Sequence, residues 1–94
     1  MSTDQIQRAL GEIPEWHLIE GAKIRRERKF KDFSEAMAFV NRVAKIAGEE
    51  GHHPDILIHD WNRVRLELTT HAINGLSEND FIMAAKMDEG QLKC

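Results

Sequence analysis

The sequence predicts a two-layer α+β fold, in which a four-stranded antiparallel sheet carries three helices packed on one face. Apolar residues recur at three- and four-residue steps from Phe33 to Ala47, a spacing that predicts an amphipathic helix. Apolar and polar residues alternate from Arg63 to His71, which predicts a half-buried strand. The full element order is α-β-β-α-β-β-α, and helices gathered on one face bury the apolar side of such a sheet. Residues 1–94 contain no linker or repeat, and we expect a single domain.

The first half of the chain predicts one short helix and two strands. Thr3 or Asp4 can cap a helix that runs to Leu10, and Gly11 can end it. Strands are predicted over 16–20 and 22–30, separated by the turn signal Glu20-Gly21. Four cations interrupt the alternation of the second strand, and we interpret them as a solvated strand face: Arg25, Arg26, Arg28 and Lys29.

The second half predicts two helices and two strands. The long helix begins at Asp32 and ends at Gly48 or Gly51, and its predicted apolar stripe consists of Phe33, Met37, Val40, Val43, Ala44 and Ala47. Ile56 and Ile58 mark a third strand. A turn over 59–62, in which we expect Trp61 to pack, leads into the fourth strand. Ser77 caps the last helix, whose inward residues are predicted to be Phe81, Ala84 and Ala85.

Composition and charge exclude several classes of protein. The 94 residues are 41% apolar and carry 13 basic and 16 acidic side chains, a formal net charge of −3, so no nucleic-acid footprint is indicated. The only cysteine is Cys94, which rules out an internal disulfide. No apolar run approaches the ~20 residues of a membrane span, and the N-terminus lacks a signal peptide pattern, so we expect a cytoplasmic protein.

Histidines carry the candidate chemistry. His52 and His53 follow the long helix, and His71 lies at the end of the predicted fourth strand. An imidazole has an ordinary pKa near ~6.5 and can therefore both donate and accept a proton in the cell. The helix C-terminus and the neighbouring acids Glu49 and Glu50 favour a protonated ring at His52, whereas His71 lies farther from those charges. We therefore assign His52 as acid and His71 as base, as a hypothesis.

Other interpretations of these residues stay open. The His-His pair can be ordinary solvated sequence, and Asp80 occupies the position of a capping motif that begins at Ser77. Three histidines could also complete an open zinc shell. Adjacent residues such as His52 and His53 are poorly spaced for joint ligation, and no second cysteine is present, so we expect no metal.

The motifs together resemble the pterin-4a-carbinolamine dehydratase family. The resemblance rests on three strings and covers about residues 14–88: Gly51-His52-His53-Pro54-Asp55, then Val64-x-Leu66-x-Leu68-Thr69-Thr70-His71, then Gly75-Leu76-Ser77-x-x-Asp80-Phe81. It extends upstream to Trp16 and to Phe30-Lys31-Asp32-Phe33. Each string alone is a weak signal, and their combination is specific.

The resemblance implies a function and a set of site residues. It implies dehydration of a 4a-hydroxytetrahydropterin to a quinonoid dihydropterin in tetrahydrobiopterin recycling, with the pterin as substrate and no cofactor. His52, His53 and His71 match the family's active-site histidines. The pterin pocket would also be lined by Pro54 and by Thr70, His71, Ala72 and Ile73, with Asp80 and Glu49 as possible supporting residues.

The resemblance also implies partners. We expect a homodimer or homotetramer and no direct contact with nucleic acid or membrane. The alternative function is a non-catalytic interaction and dimerisation module on the same fold, similar to a transcriptional coactivator.

Overall fold

The computed structural model describes residues 1–73 and 75–92, and for His71 and residues 89–92 it describes the backbone alone. In chain order the elements are α1 (Thr3–Gly11), β1 (His17–Ile19), β2 (Lys23–Lys29), α2 (Phe33–Glu50), β3 (Asp55–His59), β4 (Arg63–Leu68), a 3₁₀ turn (His71–Ile73) and α3 (Glu78–Leu92). Within these residues no helix is both long enough and apolar enough to cross a bilayer.

The four strands form one antiparallel sheet in the order β1-β2-β4-β3, which confirms the predicted α+β fold class. Both hairpins turn through residues with positive φ, Glu20 and Gly21 (53° and 71°) and Asp60 and Trp61 (49° and 56°). Each loop is three residues long, because Ile19 pairs with Lys23 and His59 pairs with Arg63, and the two positive φ angles give the loop a twist that matches that of the strands. Helix α2 connects β2 to β3, and β3 lies at one edge of the sheet.

The core lies between one face of the sheet and the helices. The alternation predicted for β4 is confirmed, since Val64, Leu66 and Leu68 are each at most 2% exposed. They are covered by buried residues of α2 and α3, namely Ala36, Phe39, Val43, Ala47, Phe81, Met83, Ala84 and Met87. Fully burying a large side chain of this kind contributes about 1.5–3 kcal/mol to the free energy of unfolding.

The apolar stripe of α2 agrees with the prediction only in part. Phe33 is 51% exposed and Ala44 is exposed, whereas Ala36 and Phe39 are buried. The ring of Phe39 packs against that of Phe30 with centroids 5.1 Å apart, so Phe39 takes the inward place predicted for Phe33, whereas Val43 and Ala47 are buried as predicted. In α3, Ala85 is likewise exposed, and Met83 and Met87 take the inward positions.

Two element ends also differ from the prediction. Ser2 caps α1 in place of Thr3 or Asp4, because Ser2 Oγ accepts from the Gln5 amide and Gln5 Oε1 accepts from the Ser2 amide. Strand β4 ends at Leu68, so His71 does not lie on it. The backbone of Thr70 pairs with Gly75, and His71–Ile73 form a 3₁₀ turn.

The basic run of β2 divides between the two faces of the sheet. Lys29 is exposed, as predicted, and Arg25 pairs with Glu67 on the outer face. Arg26 lies on the helix side, paired with Asp88, whose carboxylate also accepts from Trp16 Nε1 at 3.2 Å. Arg28 stacks 4.7 Å above the Phe30 ring centroid, and burial together with the charge of Arg26 lowers the pKa of this guanidinium. The solvated-face interpretation was therefore wrong for Arg26 and Arg28.

Candidate active site

A buried carboxylate, that of Asp80, joins three separate segments of the chain. Asp80 is 0% exposed. Its Oδ2 accepts from the Ser77 amide at 3.0 Å and from Thr70 Oγ1 at 2.9 Å, and its Oδ1 lies 2.6 Å from His52 Nε2. The start of α3, the segment after β4 and the segment after α2 therefore converge on one side chain.

His52 reaches this carboxylate because of how α2 ends. Gly51 adopts a left-handed conformation with φ of 64°, which glycine takes at little cost, and it closes the helix. The amide of His52 then donates to the Ala47 carbonyl at 3.2 Å. The backbone at His52 is thus fixed before β3 begins at Asp55, and its ring is held against α3.

Asp80 is held by the start of α3. Ser77 directly precedes the helix, and Asp80 reaches back to its amide, so the predicted capping contact is present. The hydroxyls of Thr70 and Ser77 are 2.7 Å apart, and Thr70 donates to the carboxylate as well. Capping accounts for one oxygen of Asp80 only, since the other oxygen contacts His52.

The contact with Asp80 defines how the His52 ring can be used. A carboxylate oxygen accepts hydrogen bonds, so we assign the hydrogen of this 2.6 Å contact to the ring, with Nε2–H donating to Oδ1. The second nitrogen, Nδ1, is then the atom that can exchange a proton with a bound molecule. The His52 side chain is 20% exposed, which leaves it accessible from one side.

The remaining predicted residues neighbour His52 or Thr70 in the sequence. His53 is exposed and Pro54 is half-buried next to His52. Ala72 and Ile73 are exposed on the 3₁₀ turn, and Glu49 is exposed near the end of α2. They stay predicted members of the site, whereas the carboxylate that contacts the His52 ring belongs to α3.

The His71 side chain lies outside the described residues, so its predicted place beside His52 stays a prediction. Its backbone begins the 3₁₀ turn directly after Thr70. Because the Thr70 hydroxyl donates to Asp80, that turn starts one residue from the network that contains His52.

Two concavities differ in size and position. A small hollow of about 110 Å³ opens beside His52, lined by Glu50, Gly51, His52, Asn79, Ile82 and Met83. A larger one, of about 570 Å³, lies at the β3–β4 turn around Trp61. Ligand cavities usually measure roughly 300–1,000 Å³, so the hollow beside His52 covers only part of a bicyclic ring. We place the chemistry there nevertheless, because Asp60 is the only acid that lines the larger concavity and no histidine lines it.

Two hydroxyl groups of the site were not predicted from the sequence. Only the backbone of Thr70 was assigned to the pocket and Ser77 was treated only as a helix cap, but both hydroxyls belong to the Asp80 network. The one available signal was the combination of Thr70, Ser77 and Asp80 within eleven residues. Among the side chains that the structure describes, no group of three His, Cys, Asp or Glu could hold a metal ion. The zinc site considered above would also use the His71 side chain, which lies outside the described residues. This observation therefore concerns only His52 and His53.

Comparison with known proteins decides the family. The model of the pterin 4 alpha carbinolamine dehydratase family matches residues 1–90. The chain belongs to this family. A dehydratase removes water and is therefore a hydro-lyase by class.

Members of the family with similar sequences come from bacteria and plants. A relative from Alkaliphilus metalliredigens that carries the family's name is 45% identical over 92 residues, which is 97% of this chain and 82% of the relative. Pterin-4-alpha-carbinolamine dehydratase 2, mitochondrial, from Arabidopsis thaliana is 43% identical over 96 residues, 99% of this chain and 51% of the plant protein. The crystal structure of a transcriptional coactivator/pterin dehydratase from Brucella melitensis superimposes with a TM-score of 0.89 at 36% identity, covering 96% of each chain.

Proposed function

We propose that this chain dehydrates a 4a-hydroxytetrahydropterin to the quinonoid dihydropterin by histidine acid–base catalysis, in the recycling of tetrahydrobiopterin. The observation that carries the proposal is the 2.6 Å contact between His52 Nε2 and the buried Oδ1 of Asp80. A buried carboxylate that fixes the tautomer and the orientation of an imidazole is a recurrent arrangement for proton transfer. Family membership supplies the substrate class.

The reaction needs two proton transfers and no net change in protons. The 4a-hydroxyl leaves as water after it accepts a proton, and the C4a–O bond breaks as the N5 lone pair forms the new C=N bond. N5 then loses its proton to a base. Because the ring nitrogen supplies the electron pair, we propose that neither a metal nor a redox cofactor takes part.

The proposed roles follow from the geometry at His52. With Nε2–H bonded to Asp80, Nδ1 is the atom that gives a proton to the leaving hydroxyl or takes one from N5. We propose His71 as the partner in the opposite transfer and His53, which is exposed, as a residue that binds or orients the pterin. Pro54, Thr70, Ala72 and Ile73 would border the ring, and the assignment of acid and base between His52 and His71 is left to experiment.

We also propose a homo-oligomer, a dimer or a tetramer, in the cytoplasm. Support comes from β3, an edge strand whose Ile56 and Leu57 are 38% and 45% exposed. Exposed apolar edge strands are commonly covered by a second chain. A second subunit could also complete the shallow hollow beside His52. The alternative, a non-catalytic interaction module, makes no use of a histidine held by a buried carboxylate, and we therefore favour the enzyme.

The deciding experiment is a dehydration assay on chemically generated carbinolamine. We expect His52→Ala and His71→Ala each to lower kcat by about 10²–10⁴-fold, the usual contribution of a positioned acid or base. His17→Ala is the matched control, because His17 is an exposed histidine on β1, and its kcat should equal that of the wild type. Equal rates for the wild type and for both site variants would end the enzyme proposal.

A further inference from the structure

Trp61 combines an unfavourable backbone conformation with an exposed side chain. It occupies the second position of the β3–β4 turn with φ of 56°, and its side chain is 62% exposed. Glycine is the residue preferred there, because a bulky side chain at positive φ is strained. The prediction that Trp61 packs within the turn was therefore wrong. A strained and exposed indole indicates a role outside the fold of the single chain.

The surroundings of Trp61 are basic. We call Lys29, Lys31, Asp60, Trp61 and Arg63 the hairpin patch; with Phe30 and Asn62 they line the concavity of about 570 Å³. The patch holds three cations against one carboxylate, in a chain whose formal net charge is −3. Positive charge is thus concentrated around the indole, while the remaining residues carry 10 basic and 15 acidic side chains.

The hairpin patch lies away from the proposed active site. In the β3–β4 ladder, Asp55 pairs with Glu67 near the His52 end, and His59 pairs with Arg63 at the opposite end. The patch therefore belongs to the far end of the sheet. A role for it does not depend on the pterin chemistry.

We propose that the hairpin patch docks an acidic segment of a partner protein, with an aromatic or aliphatic side chain of that segment covering Trp61. Tryptophan and arginine are enriched among the residues that dominate binding energy at interfaces. Complementary charge would steer an acidic segment to the three cations. The concavity is open, which suits a peptide lying across it more than an enclosed small molecule. Three cations that share the patch with Asp60 are too few for a nucleic-acid backbone.

The probe for the test is a short fluorescein-labelled peptide that repeats Glu-Glu-Phe. Its binding is measured by fluorescence anisotropy. A Lys-Lys-Phe peptide and a single-stranded oligonucleotide serve as the other arms. We expect the acidic peptide to bind, its affinity to fall with added salt, and the other two probes not to bind. Because Trp16 is only 3% exposed, a change in tryptophan emission on binding would report on Trp61.

The variants separate the patch from general surface charge. Trp61→Gly, Lys29→Glu and Arg63→Glu should each weaken peptide binding by about tenfold or more. Lys45→Glu makes the same charge change on an exposed cation of α2 and should bind as the wild type does. Trp61→Gly should keep the dehydration rate and the temperature of unfolding, since glycine suits the turn.

Three results would overturn the proposal. The first is equal peptide affinity for Trp61→Gly and the wild type, or no peptide binding at all. The second is oligonucleotide binding as tight as that of the acidic peptide. The third is a change of oligomer mass in Trp61→Gly by analytical ultracentrifugation, which would make Trp61 a contact between copies of this chain. None of these results depends on whether the chain dehydrates pterins.

Discussion

His52 Nε2 lies 2.6 Å from Oδ1 of Asp80, although the two residues are 28 positions apart in the chain. The other carboxylate oxygen is occupied by the Thr70 hydroxyl and the Ser77 amide, so the carboxylate cannot rotate freely. The orientation of the imidazole is therefore set by the start of α3.

Replacing Asp80 by asparagine should reduce activity while the protein stays folded. With the amide oxygen facing the Ser77 amide and the Thr70 hydroxyl, the NH₂ group faces His52 Nε2. The imidazole must then carry its hydrogen on Nδ1 instead of Nε2, which is the wrong tautomer for the proposed proton transfer. We expect kcat to fall by about 10–100-fold, as when an orienting partner is lost. The free energy of unfolding should fall by about 1–3 kcal/mol, because hydrogen bonds to a charged carboxylate are replaced by weaker bonds to a neutral amide.

Steady-state kinetics and urea unfolding measure the two effects of Asp80→Asn. Glu15→Gln is the control, an equal change of charge on an exposed acid that is not assigned to the site. If Asp80→Asn lost stability but kept the wild-type kcat, Asp80 would be a helix cap and nothing more.

Two neighbouring threonines offer a matched pair of hydroxyl deletions. Thr70→Val removes a hydroxyl bonded to Asp80 Oδ2 at 2.9 Å, whereas Thr69→Val removes one bonded to the Ala22 carbonyl at 2.6 Å. Each should lower the free energy of unfolding by about 1 kcal/mol. Only Thr70→Val should also lower kcat, and by less than Asp80→Asn does. Equal kcat values for the two variants would contradict a role of Thr70 in holding the carboxylate.

Two glycines of the α2 C-terminus should respond to alanine with opposite signs. Gly51→Ala places a Cβ at φ of 64°, and we expect a loss of about 1–2 kcal/mol in the free energy of unfolding. Gly48 lies within the helix, and an added Cβ there meets no atom within 4 Å. Gly48→Ala should therefore stabilise by about 0.5–1 kcal/mol. Thermal unfolding compares the two, and stabilisation by both substitutions would contradict the αL cap.

The Asp88 carboxylate is expected to matter for stability. It pairs with Arg26, whose side chain is only 13% exposed, and it accepts from Trp16 Nε1. Asp88→Ala leaves a largely buried guanidinium without its partner and should cost about 3–5 kcal/mol in urea unfolding. Glu50→Ala removes the more exposed pair with Lys86 and should cost at most about 1 kcal/mol. Similar losses for both variants would show that burial of Arg26 is not what makes the pair important.

The fold could be predicted where a single periodic pattern decides the structure. Val64, Leu66 and Leu68 alternate without interruption, and β4 buries them as predicted. In α2 the apolar residues are too numerous to define one stripe. The choice between Phe33 and Phe39 depended on the contact of Phe39 with Phe30, which packs α2 against the end of β2. The end of β4 depended in the same way on the pairing of Thr70 with Gly75.

The candidate site was predicted as a set of residues but not as a network. His52 and Asp80 were both singled out. The β3–β4 hairpin lies between them in the chain, so no sequence spacing indicates that they meet. The acids Glu49 and Glu50, next to His52 in the sequence, suggested other partners. Glu50 in fact bonds Lys86, and Glu49 is exposed. The Arg26 and Asp88 pair was missed for the same reason, because it joins a strand to a helix 62 residues later.

The double use of Asp80 affects how homologous sequences should be interpreted. A homologue that had lost the enzymatic activity would still be stabilised by this aspartate, because Oδ2 would still accept from the amide at the start of α3. Its persistence is thus weak grounds for assigning activity. The imidazole of His52 is different, since the only bond that the described structure gives it is the one to Asp80, so its replacement is the substitution that would mark an inactive descendant.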